Sequence, residues 1–363
     1  MCGEGQESHH GNKIKDIIAV DFFCGAGGVT RGLTDAGINV KAGIDIEGEF
    51  RTTYEKNNPE SSFIEMDVAS VTPNYIKSFF WKDENTYTLF AGCAPCQPFS
   101  NHSLKLTKQN EVRRTTLSYF GSLISKVKPD LVFSENVPGI EKKFEGAILD
   151  NFISVLEKSG YIVKNSVVDA KGYGVPQSRK RMVILASRLG RELDFPGRTH
   201  GPGLMPYVTV KDAIRRYPRI KAGVRTEPIP NHYSVGLSEQ NIKRLKSTRK
   251  NGGGRKDWPS DLRLRCHERE DCGHSDVYGR MSWDRPAPTM TCRCYSISNG
   301  RFGHPSQTRA ISFREAAALQ TFPDSYTFYG VSNFSLGMQI GNAVPVHLAK
   351  VFGSYLVDCV SRV

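Results

Sequence analysis

The residues best suited to chemistry lie in one short run, Gly92-Cys-Ala-Pro-Cys-Gln-Pro-Phe-Ser100, directly after an apolar stretch at 87–91. Cys93 and Cys96 form a C-x-x-C, a spacing shared by redox pairs and half-sites for zinc. Zinc needs two further ligands at sensible spacing, and none lies nearby. A redox pair usually precedes a helix, whereas Pro98 and the Ser/Asn/His run after it indicate a loop. Both are disfavoured, and Pro95 and Pro98 stiffen the loop that carries Cys96.

Three other segments could serve such a thiol. Asp21-Phe-Phe-Cys-Gly-Ala-Gly-Gly28 follows a strand-like run and opens a helix, and its glycines permit a tight turn and close approach to a ligand. Asp45 ends the next strand, twenty residues beyond Gly25, where a carboxylate can accept from both ribose hydroxyls. The run G-A-G-G-V-T lacks the third glycine of a dinucleotide fingerprint, which favours a phosphate-free nucleoside such as S-adenosylmethionine over NAD or FAD. Ser134-Glu-Asn-Val-Pro138 and Gln177-Ser-Arg-Lys-Arg181 flank two further strands; alone, they would pass for a turn acid and a basic loop.

These segments need a frame to bring them together. The first half alternates strand-like runs (17–22, 40–44, 87–91, 131–134, 182–186) with helical stretches (29–36, 50–57, 116–126, 147–159), which predicts an α/β fold with a mainly parallel sheet. The carboxyl ends of such strands are where ligands collect. From about residue 191 the rhythm gives way to Gly-, Pro- and Arg-rich sequence, read as a second, irregular domain with basic loops. Ser312-Phe-Arg-Glu315 is a capping box that starts a helix through 316–320, and a last amphipathic helix is expected from Pro345 to about Asp358.

Taken in order, the motifs resemble those of the C5-cytosine DNA methyltransferase family. The resemblance rests on the 21–28 loop, Pro95-Cys96-Gln97, Glu135-Asn136-Val137, Gln177-x-Arg179-x-Arg181, Arg314-Glu315-Ala316 with Leu319-Gln320-x-Phe322-Pro323, and Gly341-Asn342-Ala343-Val344-Pro345. It implies a Rossmann-like S-adenosylmethionine-dependent methyltransferase sheet at 14–190, completed by 325–363, with a smaller irregular target-recognition domain at 191–324. Residues 1–13 are read as a mobile tail. With no long N-terminal regulatory extension, the chain resembles bacterial restriction-modification enzymes more than multi-domain chromatin ones.

The resemblance also implies roles. Cys96 would attack C6 of a flipped-out cytosine, Glu135 would meet N3, and Arg181, with Arg179, would hold O2. Phe22, Gly25 and Gly27 would lie near the methionine part of S-adenosylmethionine, Asp45 on the ribose and Asp67 by the adenine. Pro95 and Asn342 would complete that pocket. Gln97 and Ser100 on the cysteine loop would touch DNA.

The whole-chain balance agrees with a polyanionic partner. Formal net charge is +12, and residues 191–308 carry 22 Lys/Arg against 12 Asp/Glu. Lys243, Arg244, Lys246, Arg249, Lys250, Arg255 and Lys256 are the densest phosphate-contact candidates for double-stranded DNA. Nine scattered cysteines argue for free thiols and a reducing, cytoplasmic setting. No metal is expected: Cys266, His267, Cys272 and His274 lack a zinc-module spacing, and Cys292-x-Cys294 alternates like a strand. A monomer is expected, because one chain holds every required part. An RNA cytosine methyltransferase, a non-catalytic nucleic-acid binder and a nicotinamide oxidoreductase are the rival readings; the basic region, the intact Cys96, Glu135 and Arg181, and Pro95-Cys96-Gln97 respectively disfavour them. A partner endonuclease and the recognition sequence are not legible in these residues.

Overall fold

The computed structural model describes residues 16–79, 86–95, 108–141, 147–225, 229–267 and 276–361. The 1–13 tail lies outside them. In chain order the elements are β1 (Asp16–Phe22), α1 (Gly28–Asp35), β2 (Asn39–Asp45), α2 (Arg51–Asn57), β3 (Ser62–Glu65), α3 (Pro73–Lys77), β4 (Thr86–Gly92), α4 (Lys108–Val127), β5 (Leu131–Asn136), α5 (Ala147–Lys158), β6 (Ile162–Asp169) and β7 (Lys180–Ser187). Then come α6 (Val210–Ile214), α7 (Glu239–Ser247), α8 (Phe313–Leu319), α9 (Asn333–Asn342) and α10 (Val346–Ser361).

The seven strands form one sheet in the order β3-β2-β1-β4-β5-β7-β6. The first five run parallel, and β7 is antiparallel to both β5 and β6. Strand alternation divides the core. On one face Ile17, Leu89, Leu131 and Val183 pack with Leu33 of α1 and Phe352 of α10. On the other, Val20, Phe90, Val132 and Ile184 pack with Phe120 of α4 and Phe152 of α5. A third cluster joins Val210, Met281, Met290, Phe302 and Phe313 to Ala26 of the glycine loop and Val346 of α10.

Two features differ from the sequence expectation. Strands β3 and β6 have no counterpart among its strand-like runs: β3 is only four residues long, and Lys164, Asn165 and Ser166 give the edge strand β6 a polar, half-solvated surface rather than an apolar run. The Cys292-x-Cys294 segment is a turn rather than a strand, and its thiols part company: Cys294 is buried in the third cluster, while Cys292 is half-exposed. The span Asn333–Ser361 is long and apolar enough to cross a membrane by composition alone. It is instead two helices broken before Pro345, with α10 packed on α1.

The expected capping box at Ser312 is present: its side chain accepts from Glu315 N at 3.0 Å, and Glu315 accepts from Ser312 N at 2.7 Å. Glu315 also receives Arg309 at 2.7 and 2.8 Å with both side chains buried. Burial alone would push the Glu315 carboxyl up, but the Arg309 hydrogen bonds and charge outweigh it and hold it below its ordinary value. Arg309→Leu strands that carboxylate and should cost about 3–5 kcal/mol in denaturant unfolding at pH 7. In the wild type the contribution of Glu315 is complete above its unfolded value, about 4.3, and drains away as pH falls through the lower folded one.

Candidate active site

The site is assembled at the carboxyl ends of β1, β2, β4 and β5. As β1 ends, Phe22 turns inward between Phe90 and Phe120, with ring centroids 4.8 and 5.1 Å away. Its side chain is fully buried, so the ring open to this side of the loop is that of the next residue, Phe23. Phe23 leaves the strand with φ 59° and stays partly exposed. Gly25 follows at φ 52°, where an added Cβ would meet nothing within 4 Å, so the loop is open on that side. Gly27 caps α1 in the left-handed region at φ 86°.

Asp45 ties this loop to β2. Its Oδ2 accepts from Gly25 N at 2.8 Å and its Oδ1 from Glu47 N at 2.9 Å. Burial pushes its carboxyl up, with those two N–H groups opposing. Behind the loop Asp21 is wholly buried; it accepts from Thr30 N and Oγ1 at 3.1 and 2.7 Å, and burial raises it to about 7. Ile46, directly after Asp45, is an apolar side chain left 62 % exposed. Sequence reasoning passed over both Phe23 and Ile46; an apolar residue straight after a strand-end acid was the available signal. Asp67 caps the turn at 68–70, accepting from Ala69 N at 2.9 Å. An open glycine loop, a carboxylate and two accessible apolar side chains fit a nucleoside with an amino-acid tail.

The second half of the site comes from β4, β5 and β7. Cys93 N donates to Phe22 O at 3.3 Å, Ser134 Oγ to Gly92 O at 2.8 Å and Asn136 Nδ2 to Ala94 O at 3.4 Å. The chain is thus held up to Pro95, which is exposed. Cys96, Gln97 and Ser100 lie outside the described residues. Across the sheet Glu135 pairs with Val183, and the two-residue period puts Arg181 on the same face. Arg181 Nε stands 2.8 Å from Glu135 Oε1, with side chains 12 % and 8 % exposed. The contact is a close ion pair rather than an aligned hydrogen bond.

Arg179 does something else. It precedes β7 and is 2 % exposed, and its guanidinium donates to the carbonyls of Met290, Gly341 and Ala343 at 3.0–3.3 Å. Its expected place beside Arg181 is therefore corrected: it clamps the backbone around Asn342. Gln177 works with it, donating to Gln320 Oε1 at 2.8 Å and accepting from Met290 N at 2.8 Å. Asn342 itself is exposed.

Among the phosphate-contact candidates, Lys243, Lys246, Arg249, Lys250 and Lys256 are exposed. Arg244 is engaged within the protein: it donates to Leu262 O and Asn241 Oδ1 at 3.1 Å and lies over Trp258. Arg255 is half-buried. Of the zinc-like quartet, Cys272 and His274 lie outside the described residues; among the described ones no three His, Cys, Asp or Glu gather around a possible metal.

The family model for C-5 cytosine-specific DNA methylase matches residues 17–357. The chain is 40% identical to the type II methylase M.HgiDII of Herpetosiphon aurantiacus over 336 residues, 92% of each chain. It is 31% identical to the type II methyltransferase M1.HphI of Haemophilus parahaemolyticus, over 92% of this chain and 85% of that one. Among solved structures it resembles DNMT2 of Spodoptera frugiperda, with a TM-score of 0.62, 18% identity and coverage of 94% and 99%. It also resembles a prophage-encoded Escherichia coli protein assigned as a DNA modification methyltransferase, with a TM-score of 0.73, 23% identity and coverage of 94% and 99%.

Proposed function

We propose a covalent route for methyl transfer, on the premise that this chain belongs to the C-5 cytosine-specific DNA methylase family and is a DNA cytosine-5 methyltransferase. The observation that carries the route is the Glu135–Arg181 pair, 2.8 Å apart where β5 ends and β7 begins, with β5 next to β4, whose end leads into the Cys96 segment. C5 of cytosine is too weakly nucleophilic to take a methyl group directly. Attack of the Cys96 thiolate on C6 forms a C–S bond and pushes the C5–C6 π electrons into the ring, making C5 enamine-like. Glu135, in its protonated form, gives its proton to N3 as negative charge develops there and takes it back as the adduct collapses, and Arg181 holds O2. S-Adenosylmethionine, when bound at the glycine loop, supplies an electrophilic methyl group. C5 takes that methyl; loss of its proton and expulsion of Cys96 then restore the ring.

Asp45 is proposed to bind the ribose hydroxyls, Phe23 and Ile46 to cover the adenosine, and Asp67 to reach the adenine edge. A stacked cytosine cannot present C6 to a thiolate, so the nucleotide must leave the helix. Residues 191–324 are proposed as the target-recognition domain, with exposed Lys243, Lys246, Arg249, Lys250 and Lys256 on phosphates. Methylation of unmodified genomic DNA, with 5-methylcytosine mapped by sequencing and tRNA treated in parallel, tests the reading. Modification at one recurring DNA sequence, with tRNA untouched, is expected; modification confined to tRNA would refute it.

A further inference from the structure

Asn342 sits on a backbone that other residues have immobilised. Arg179 binds the carbonyls of Gly341 and Ala343, and Gln320 Nε2 binds those of Ile340 and Ala343 at 2.7 and 3.0 Å. Gly341 lies so close to the 291–292 backbone that a Cβ there would come within 2.4 Å of Cys292 N. On its other side the same turn abuts the start of α1, where a Cβ on Gly28 would stand 2.6 Å from Val344 O and 3.3 Å from Ala343 Cβ. Asn342 is thus held beside the glycine loop, and its side-chain amide is the freedom that remains.

One group addresses that amide. Cys292 Sγ donates to Asn342 Oδ1 at 2.9 Å. Burial pushes the Cys292 thiol up, so it stays protonated and able to donate at neutral pH. With Oδ1 taken, the planar amide must turn its Nδ2 and both N–H donors to the opposite, open side. Paired donors on a fixed backbone beside the glycine loop match a carboxylate.

We propose that Cys292 is a positioning residue: its thiol orients Asn342 so that Nδ2 donates to the carboxylate of the amino-acid part of the methyl donor. The proposal rests on the cofactor reading above and adds to it a residue, a direction of donation and the ligand atom concerned.

Isothermal titration of the full chain with two ligands tests it: S-adenosylhomocysteine, which has the carboxylate, and 5′-methylthioadenosine, which lacks it. Cys292→Ala should weaken S-adenosylhomocysteine about five- to tenfold, the size of one lost hydrogen bond, and leave 5′-methylthioadenosine unchanged. Cys292→Ser, which keeps an O–H donor, should restore most of the affinity. In an Asn342→Ala background the effect of Cys292→Ala should vanish. Equal weakening of both ligands would make Cys292 a packing residue and overturn the proposal, as would no effect of Cys292→Ala or no rescue by serine. Failure of the wild type to bind either ligand would instead refute the cofactor pocket itself.

Discussion

Cys96→Ala should lower methyl transfer to DNA by at least about 10⁴-fold while S-adenosylhomocysteine binds as in the wild type. The asymmetry follows from the route. Without a sulfur to bond C6, C5 never acquires enamine character, so every later step is lost. The glycine loop is tied to β2 through Gly25 N on Asp45 and Cys24 N on Ile44 O, contacts made without the Cys96 thiol. Transfer of a radiolabelled methyl group measures the first quantity and calorimetry the second. A companion observation looks for the adduct itself: DNA with 5-fluorocytosine at the target should trap wild-type protein in a complex that survives denaturation, because fluorine at C5 cannot leave as a proton does. The alanine variant should give none. Turnover within tenfold of wild type in Cys96→Ala would remove the thiol from the mechanism.

The parts of this molecule that were legible in its sequence are those fixed by short-range chemistry. The capping box at Ser312 is local hydrogen bonding, and it appears where its spacing places it. The buried parallel strands are apolar on both faces and stand out for that reason, whereas edge strand β6 has one solvated side and hides among polar residues. Side-chain destination was harder to read. Phe22 and Phe23 are adjacent and identical, yet the strand carries the first into the core, and the left-handed turn carries the second out. Arg179 and Arg181 are two apart and on an extended chain would share a face. Arg179 lies before β7 begins, and its partners, Met290, Gly341 and Ala343, are more than a hundred residues away. No local pattern records such long-range acceptors. The Cys292–Asn342 contact is of the same kind.

Glu135→Gln is the substitution that isolates the acid chemistry, because it keeps size and hydrogen-bonding reach and removes the proton that can pass to N3. It should lower kcat by about 10²–10⁴-fold, the range for losing one acid–base or charge-stabilising group, with S-adenosylhomocysteine affinity within twofold of wild type. Two effects add in that loss. The amide stabilises charge developing at N3 less well, and Arg181, 12 % exposed, loses the anion 2.8 Å from its Nε. Arg181→Leu separates them: with the cation gone, Glu135 stays mostly buried without the charge that faced it. If the two residues act as a unit, the double variant should fall short of the product of the single losses. The trapping experiment adds a sign that packing alone would not produce. Glu135→Gln retains Cys96, so 5-fluorocytosine DNA should still form the adduct, but more slowly in proportion to the fall in kcat. A variant that trapped DNA at the wild-type rate while methylating slowly would move Glu135 from the attack on C6 to a later step. One that methylated within threefold of wild type would take it out of the reaction.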